Sequence, residues 1–343
     1  MISIEFHDRE REIEDVMRIL KAPPNLITFV YGPINSGKSS LMNEIVKKLK
    51  KSGKYTVFCI DLRERFIKDY GDFIRVLFKV HRTKISDYRK FLAKALEDLT
   101  ADGLPIPKNL LVEFLKRGEV EDVFEYIVTV FETVRKKGRI PVLVLDELQV
   151  IGDLKIDDLL IYRLFNLFVS ITKKRHLAHV FAVTSDSLFM ERVYTEASLH
   201  GRCRYLLVDD FDHSTAVEFL RKHGFSEDEI KLTWEYFGGK PVYLVEAVKE
   251  RDRLREFCEE MLRIRKRQIK DSIYSLDEDF RHAVLEILAQ FREEEKITYE
   301  YLTEELVWCM KNNILFLDPV NELVKPQSRL DLLALRRLLE ELE

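Results

Sequence analysis

Tyr31-Gly32-Pro33-Ile34-Asn35-Ser36-Gly37-Lys38-Ser39-Ser40 fits the phosphate-loop pattern G-x-x-x-x-G-K-[ST], and its flanks decide what that match means. Ahead of it Leu26-Ile27-Thr28-Phe29-Val30-Tyr31 is apolar and β-rich, short enough for a buried strand. Behind it Leu41, Met42, Ile45, Val46 and Leu49 recur at helical spacing. A strand, a loop and a helix in that order aim backbone N–H groups and a helix N-terminus at one anion. Gly32, Pro33, Ile34, Asn35, Ser36, Gly37, Lys38, Ser39 and Ser40 are therefore the candidate phosphate-contacting residues. Lys38 would reach the β- and γ-phosphates of a nucleoside triphosphate. The Ser39 hydroxyl would complete a Mg²⁺ shell made mostly of phosphate and water.

A phosphate loop needs an acidic partner, and Val142-Leu143-Val144-Leu145-Asp146-Glu147 supplies one. Four apolar residues end in two carboxylates, at the end of a strand where ligands bind in open α/β sheets. Asp146 is the candidate metal ligand, directly or through water, and Glu147 the candidate general base for an attacking water. Another apolar run, His179 to Thr184, ends in Ser185, whose hydroxyl would lie beside those carboxylates. Arg202, with Arg204 second, precedes a further strand and is the candidate arginine for charge developing on the transferred phosphoryl group, in cis or from a neighbouring subunit.

The spacing of strand-like runs at 26–31, 55–60, 141–146, 179–184 and 203–208, with helical runs between them, predicts a parallel sheet covered on both faces. A helix is expected over 7–20 with Asp8 as N-cap, and another near 157–175. Residues 62–137 hold no convincing strand and read as a helical insertion, a candidate lid. After residue 209 the pattern turns helical. Ser226-Glu227-Asp228-Glu229 and Ser275-Leu276-Asp277-Glu278 both fit the capping box. Ile314 to Val324 resembles a hairpin, so helices followed by a hairpin suggest a winged helix. The expected division is a phosphate-loop core over 1–210, a helical lid over 211–270 and a winged-helix-like domain over 271–343.

The 343 residues carry a net charge of −4, which argues against a surface built throughout for nucleic acid. Four scattered cysteines suggest neither zinc nor a disulfide framework, and the simple inference is a reducing cytoplasm. The charged start does not read as a signal peptide, and no apolar run reaches the length of a membrane span. Charged residues at 34% with few glutamines follow the composition of proteins from hot environments.

Over nearly its full length the chain resembles the archaeal ATPases of the AAA+-related STAND group. Phe6-His7-Asp8-Arg9-Glu10 with Glu12 resembles that family's F-x-x-R-E-x-E start, while Tyr31–Ser40, Leu145–Gln149 and Gly201-Arg202 match its Walker A, Walker B and G-R segments. Gly238-Gly239-Lys240-Pro241-Val242-Tyr243-Leu244 resembles its G-G-x-P-x-Y-L signature. The resemblance implies ATP as the nucleotide, with Phe6 and Arg9 near base and ribose and Pro241 packed by the adenine. It also implies regulatory work by an ATP/ADP switch, with a protein partner or ATP-dependent self-association. Asn35 departs from the commoner G-P-x-G-x-G-K loop, yet asparagine tolerates positive φ, so the loop conformation should survive.

Weaker signals carry less. His176 and His179 lack a third metal ligand. Asp209, Asp210 and Asp212 read as an N-cap and solvated acids. The run Arg263 to Lys270 reads first as a solvated helix face and second as a contact for DNA or RNA phosphates. The alternative is an ATP-dependent DNA-binding protein like the archaeal origin-recognition initiators, reading duplex with the winged helix, and acidic Tyr299-Glu300-Tyr301-Leu302-Thr303-Glu304-Glu305-Leu306 counts against it. A scaffold that binds nucleotide without turnover is a third reading, opposed by Glu147.

Overall fold

The five apolar runs form one parallel sheet. The computed structural model describes residues 6–63, 120–151, 155–156 and 158–342. Strands β1 (Ile27–Tyr31), β2 (Tyr55–Asp61), β3 (Ile140–Asp146), β4 (His179–Thr184) and β5 (Cys203–Leu207) lie in the order β2-β3-β4-β1-β5. Each neighbouring pair is parallel. Every residue of β1 and β4 is buried, as expected of strands covered on both faces.

Alternation of side chains splits the core in two. Phe29, Tyr31, Leu143 and Val180 face helices α3 (Val120–Lys136) and α4 (Leu160–Val169). Val30, Val144, Phe181 and Val183 face α1 (Glu10–Lys21) and α2 (Lys38–Ser52). The end of the expected insertion is thus a core helix, since Ile127, Val130, Phe131 and Val134 of α3 are buried against the sheet. Residues 64–119 of that insertion lie outside the described residues. A two-residue pairing, Lys155–Ile156 with Asp158–Leu159, precedes α4, and a π-turn over Ser170–Lys174 follows it. The first is too short to leave a period in the sequence.

Two caps differ from expectation. Asp8 and Arg9 both have positive φ (57° and 76°), and the helix starts after them at Glu10. Asp8 instead accepts a hydrogen bond from Thr215 at 3.2 Å, so residues 6–9 turn away from α1 toward the phosphate loop. Ser226 and Glu229 do form a capping box, whereas Ser275 ends a helix and Asp277 caps the next through the Phe280 N–H. Aspartate two residues on competes for the same role.

Following the core come α5 (Ser187–Thr195, between β4 and β5), α6 (His213–Lys222), α7 (Glu227–Phe237), α8 (Pro241–Lys249) and α9 (Leu254–Tyr274). The C-terminal part adds α10 (Glu278–Ala289), β6 (Ile297–Thr298), α11 (Glu304–Lys311), the hairpin β7 (Leu315–Asp318) and β8 (Leu323–Pro326), and α12 (Arg329–Glu341). The three strands pair in the order β6-β8-β7, which with α10, α11 and α12 makes a winged-helix-like domain. Helix α9 runs unbroken across residue 270. Leu254, Phe257 and Cys258 pack with the lid helices, Ile269 and Ile273 with the wing, so one helix serves both cores.

Where the chain leaves the core, the backbones of Phe211 and Gly239 touch. The Phe211 N–H donates to the Gly239 carbonyl at 2.9 Å, and a Cβ on Gly239 would lie 1.7 Å from the Phe211 oxygen. Gly239→Ala should therefore destabilise the chain by about 2 kcal/mol or more, because neither backbone can yield without losing that bond. A thermal or denaturant unfolding midpoint equal to wild type would contradict this close approach.

Candidate functional site

The phosphate loop leaves β1 at its C-terminal end and enters α2, and its backbone needs unusual dihedrals throughout. Asn35 has φ 60° and Gly37 φ 92°, so asparagine takes the left-handed conformation expected of it. Gly32 admits no side chain, since a Cβ there would sit 2.1 Å from the Val208 carbonyl oxygen. Four of the loop carbonyls are held by cations. Lys38 Nζ donates to the carbonyls of Gly32 (3.0 Å) and Pro33 (2.7 Å). Lys240 Nζ donates to the Ile34 carbonyl at 3.0 Å, and Arg9 Nη2 to the Ser36 carbonyl at 2.8 Å. The first turn of α2 leaves the N–H groups of Lys38, Ser39 and Ser40 without intrahelical acceptors, which suits an anion.

Strand order sets the distance from the loop to the acids. β3 lies two strands from β1, about 10 Å at ordinary strand spacing, and β4 lies between them. The ends of all three strands border a cavity of about 420 Å³ lined by Lys38, Ser39, Glu147 and Ser185. Asp146 lies beside Ser39, and burial raises its carboxyl above the usual range against the opposing effect of that hydroxyl. Glu147 has φ 60°, a left-handed conformation uncommon for glutamate and worth roughly 1–3 kcal/mol of strain. Its carboxylate is held by Gln149 Nε2 at 2.5 Å and by Arg63 Nη2 at 2.9 Å. Burial raises Glu147 too, with Gln149 and Arg63 pulling the other way. Thr184 completes the chain by donating to Gln149 Oε1 at 2.8 Å, so Thr184 fixes the relay while Ser185 lies on the cavity wall.

A second cavity, about 430 Å³, adjoins the loop on its other side. Phe6, Arg9, Phe211, Phe219 and Pro241 line it, and Pro241, the first residue of α8, borders both cavities. Phe6 remains 38% exposed, and Arg9 lies over the Phe211 ring at 4.6 Å. Apolar and aromatic walls beside a phosphate loop match a flat base in shape and chemistry.

Residues 6–247 match the family model described as an ATPase domain predominantly from Archaea. The chain belongs to this archaeal ATPase family. Residues 255–339 match a second model, the C-terminal domain of MJ1010-like uncharacterized ATP-binding proteins. An uncharacterized ATP-binding protein of Methanocaldococcus jannaschii is 48% identical over 99% of each chain. One from Pyrococcus abyssi is 50% identical over 98% of this chain and all of its own. Among solved structures, the Aeropyrum pernix ORC2 protein in ADPNP–ADP complexes aligns with a TM-score of 0.54. It covers 99% of this chain and 96% of its own at 11% identity, a likeness of fold.

Within this archaeal ATPase the remaining sequence candidates fall in different places. Arg202 is at the opposite end of the strands from the phosphate loop. Its carbonyl accepts from the N–H of Ile27, where β1 begins, and its Nη1 donates to the Ser198 carbonyl at 2.9 Å. The length of β1, about 15 Å, separates it from the loop of its own chain. Arg204 lies on β5 near the same end. Asp209 and Asp210 are not solvated acids: they pair with Lys325 (2.5 Å) and Lys240 (2.9 Å), while Asp212 caps α6. The basic run on α9 is largely matched by acids, Arg265 by Asp331 at 2.7 Å, Lys266 by Glu341 and Arg267 by Asp271 at 3.5 Å. Arg63, Lys240 and Gln327 were not singled out from sequence, and Asp210 only as a solvated acid, because nothing in their spacing shows that distant segments meet at the loop. No helix among the described residues is long and apolar enough to cross a membrane.

Burial, with the Lys240 ammonium nearby, lowers Lys38 to about 8. Polyphosphate binds the protonated amine, which predominates below that value; above it each binding event must also take up a proton. Nucleotide affinity should therefore fall by up to about tenfold per pH unit above pH 8, until the higher value of the bound form is reached. Titration with a fluorescent adenine nucleotide from about pH 7 to 9.5 measures this. A flat profile would show that Lys38 stays charged throughout.

Proposed function

We propose that the chain is a Mg²⁺-dependent ATP hydrolase whose nucleotide state biases the lid and the winged-helix-like domain, in a regulatory rather than biosynthetic role. The observation that carries hydrolysis is Glu147, a carboxylate fixed by Gln149 and Arg63 on the wall of the cavity that also holds Lys38. A binding-only scaffold has no use for a strained acid in that position.

The adenine would lie in the cavity between Phe6, Phe211 and Pro241, and the phosphates along the loop from Ile34 to Ser40. Ser39 and Asp146 fit a magnesium ion: a hydroxyl beside a carboxylate, with no cluster of three or more acidic, histidine or cysteine ligands among the described residues. Such a sparse donor set suits an ion coordinated mainly by phosphate and water, which would neutralise charge on the phosphates. Glu147 takes a proton from the attacking water as its oxygen bonds to the γ-phosphorus. The bond to the bridging oxygen breaks, and Lys38 stabilises the negative charge left on ADP. Ser185 would orient the γ-phosphate. Before attack Glu147 must exchange Arg63 for water, which makes Arg63 a brake on turnover.

Arg202 would act only on the γ-phosphate of a neighbouring copy, consistent with self-association on ATP. DNA binding is the less favoured reading, since the basic run on α9 is spent on α12 and on its own helix. Steady-state phosphate release from Mg²⁺-ATP tests the proposal. Glu147→Gln should lower turnover by about 10²-fold or more while retaining ATP binding, and Lys38→Ala should lose both. Wild-type protein that binds ATP tightly yet releases no phosphate, alone or with DNA, would reduce the nucleotide to a structural ligand.

A further inference from the structure

Ile34 is held on both sides of its peptide backbone by residues from outside the core. Its carbonyl accepts from Lys240 Nζ at 3.0 Å, and its N–H donates to Gln327 Oε1 at 3.1 Å. Lys240 comes from the lid side and is 2% exposed; Gln327 follows β8 of the wing and is 7% exposed. Neither side chain is free to move. Lys240 is fixed by Asp210 at 2.9 Å, and Gln327 by donating Nε2 to the Leu315 carbonyl at 3.0 Å. The wing reaches the same place by two further contacts, Tyr31 to Asp318 at 2.8 Å and Asp209 to Lys325 at 2.5 Å.

We infer that Lys240 and Gln327 are positioning residues for the phosphate loop, so that nucleotide affinity depends on the wing being docked against Ile34. Ile34 lies in the stretch between Gly32, where the loop departs from β1, and Gly37, where α2 begins. Fixing its plane fixes the orientation of the N–H groups that follow, which is preorganisation for an anion. Because two sites that favour one arrangement favour each other, bound nucleotide holds the wing down as firmly as the wing holds the loop. The inference rests on the loop being the nucleotide site, and needs no hydrolysis.

Calorimetric titration of the intact protein with Mg²⁺-ADP tests it. Gln327→Leu, which removes the acceptor at similar volume, should weaken binding about fivefold, and Lys240→Met, which removes a charged donor, about tenfold or more. Lys240→Arg keeps a cation within reach of the carbonyl and should recover most of the loss. Arg251→Met is the control for general damage. It breaks the ion pair with Glu229 of α7 at 3.0 Å, lies away from the loop and its cavities, and should lower the melting temperature while leaving ADP affinity within about twofold. Gln327→Leu and Lys240→Met binding ADP like wild type, or Arg251→Met weakening it equally, would overturn the positioning role. A wild type that fails to bind ADP would remove the nucleotide reading with it.

Discussion

The phosphate loop keeps its shape because its own carbonyl oxygens are tied back by cations. Lys38 takes those of Gly32 and Pro33, Lys240 that of Ile34, and Arg9 that of Ser36. The N–H groups of Ile34 and Ser36 are taken by Gln327 and the Pro33 carbonyl, while those of Lys38, Ser39 and Ser40 at the start of α2 remain for an anion. Burying three cations beside one short loop is costly unless each finds a partner. Arg9 pairs with Glu12 and Lys240 with Asp210, while Lys38 has the weaker field of Asp146 and Glu147 and is lowered to about 8. Phosphate would complete the compensation that the protein alone leaves partial.

The groups that hold the loop come from positions far apart in the chain. The cations Arg9 and Lys240 precede α1 and follow the Gly238-Gly239 turn, and the neutral acceptor Gln327 follows the wing hairpin. The Asp209-Asp210 pair at the end of β5 joins them, since the Asp209 carbonyl accepts from Arg9 at 2.6 Å and the two carboxylates hold Lys325 and Lys240. The sheet order adds the other half of the site. By inserting β4 between β1 and β3 it leaves room for phosphates between loop and acids, and puts Thr184 where it can hold Gln149 and so Glu147. Arg202, just before β5 beside the beginning of β1, lies at the opposite end of the strands from its own loop.

The five core strands were legible because buried parallel strands are nearly continuous apolar runs, and the phosphate loop and the Asp146-Glu147 pair because they follow such runs directly. Asn35 was legible too, since few residues besides glycine accept its φ. Contacts across 200 or more residues were not, as with Arg9 to Asp209, or Lys240 to Ile34. No local period records them. Asp8 illustrates the converse: its residue type suits an N-cap, but the turn that brings Phe6 to the base cavity takes precedence over capping. Asp209 and Asp210 were misread as solvated for the same reason, their partners being remote.

Hydrogen exchange of the intact protein with and without Mg²⁺-ADP addresses the central claim most directly, that loop and wing are one cooperative unit. Slower exchange on adding nucleotide is expected both in residues 32–40 and in the hairpin 315–326, with Gln327→Leu abolishing the second while retaining much of the first. Protection confined to the loop, with the hairpin unchanged by nucleotide in the wild type, would contradict it.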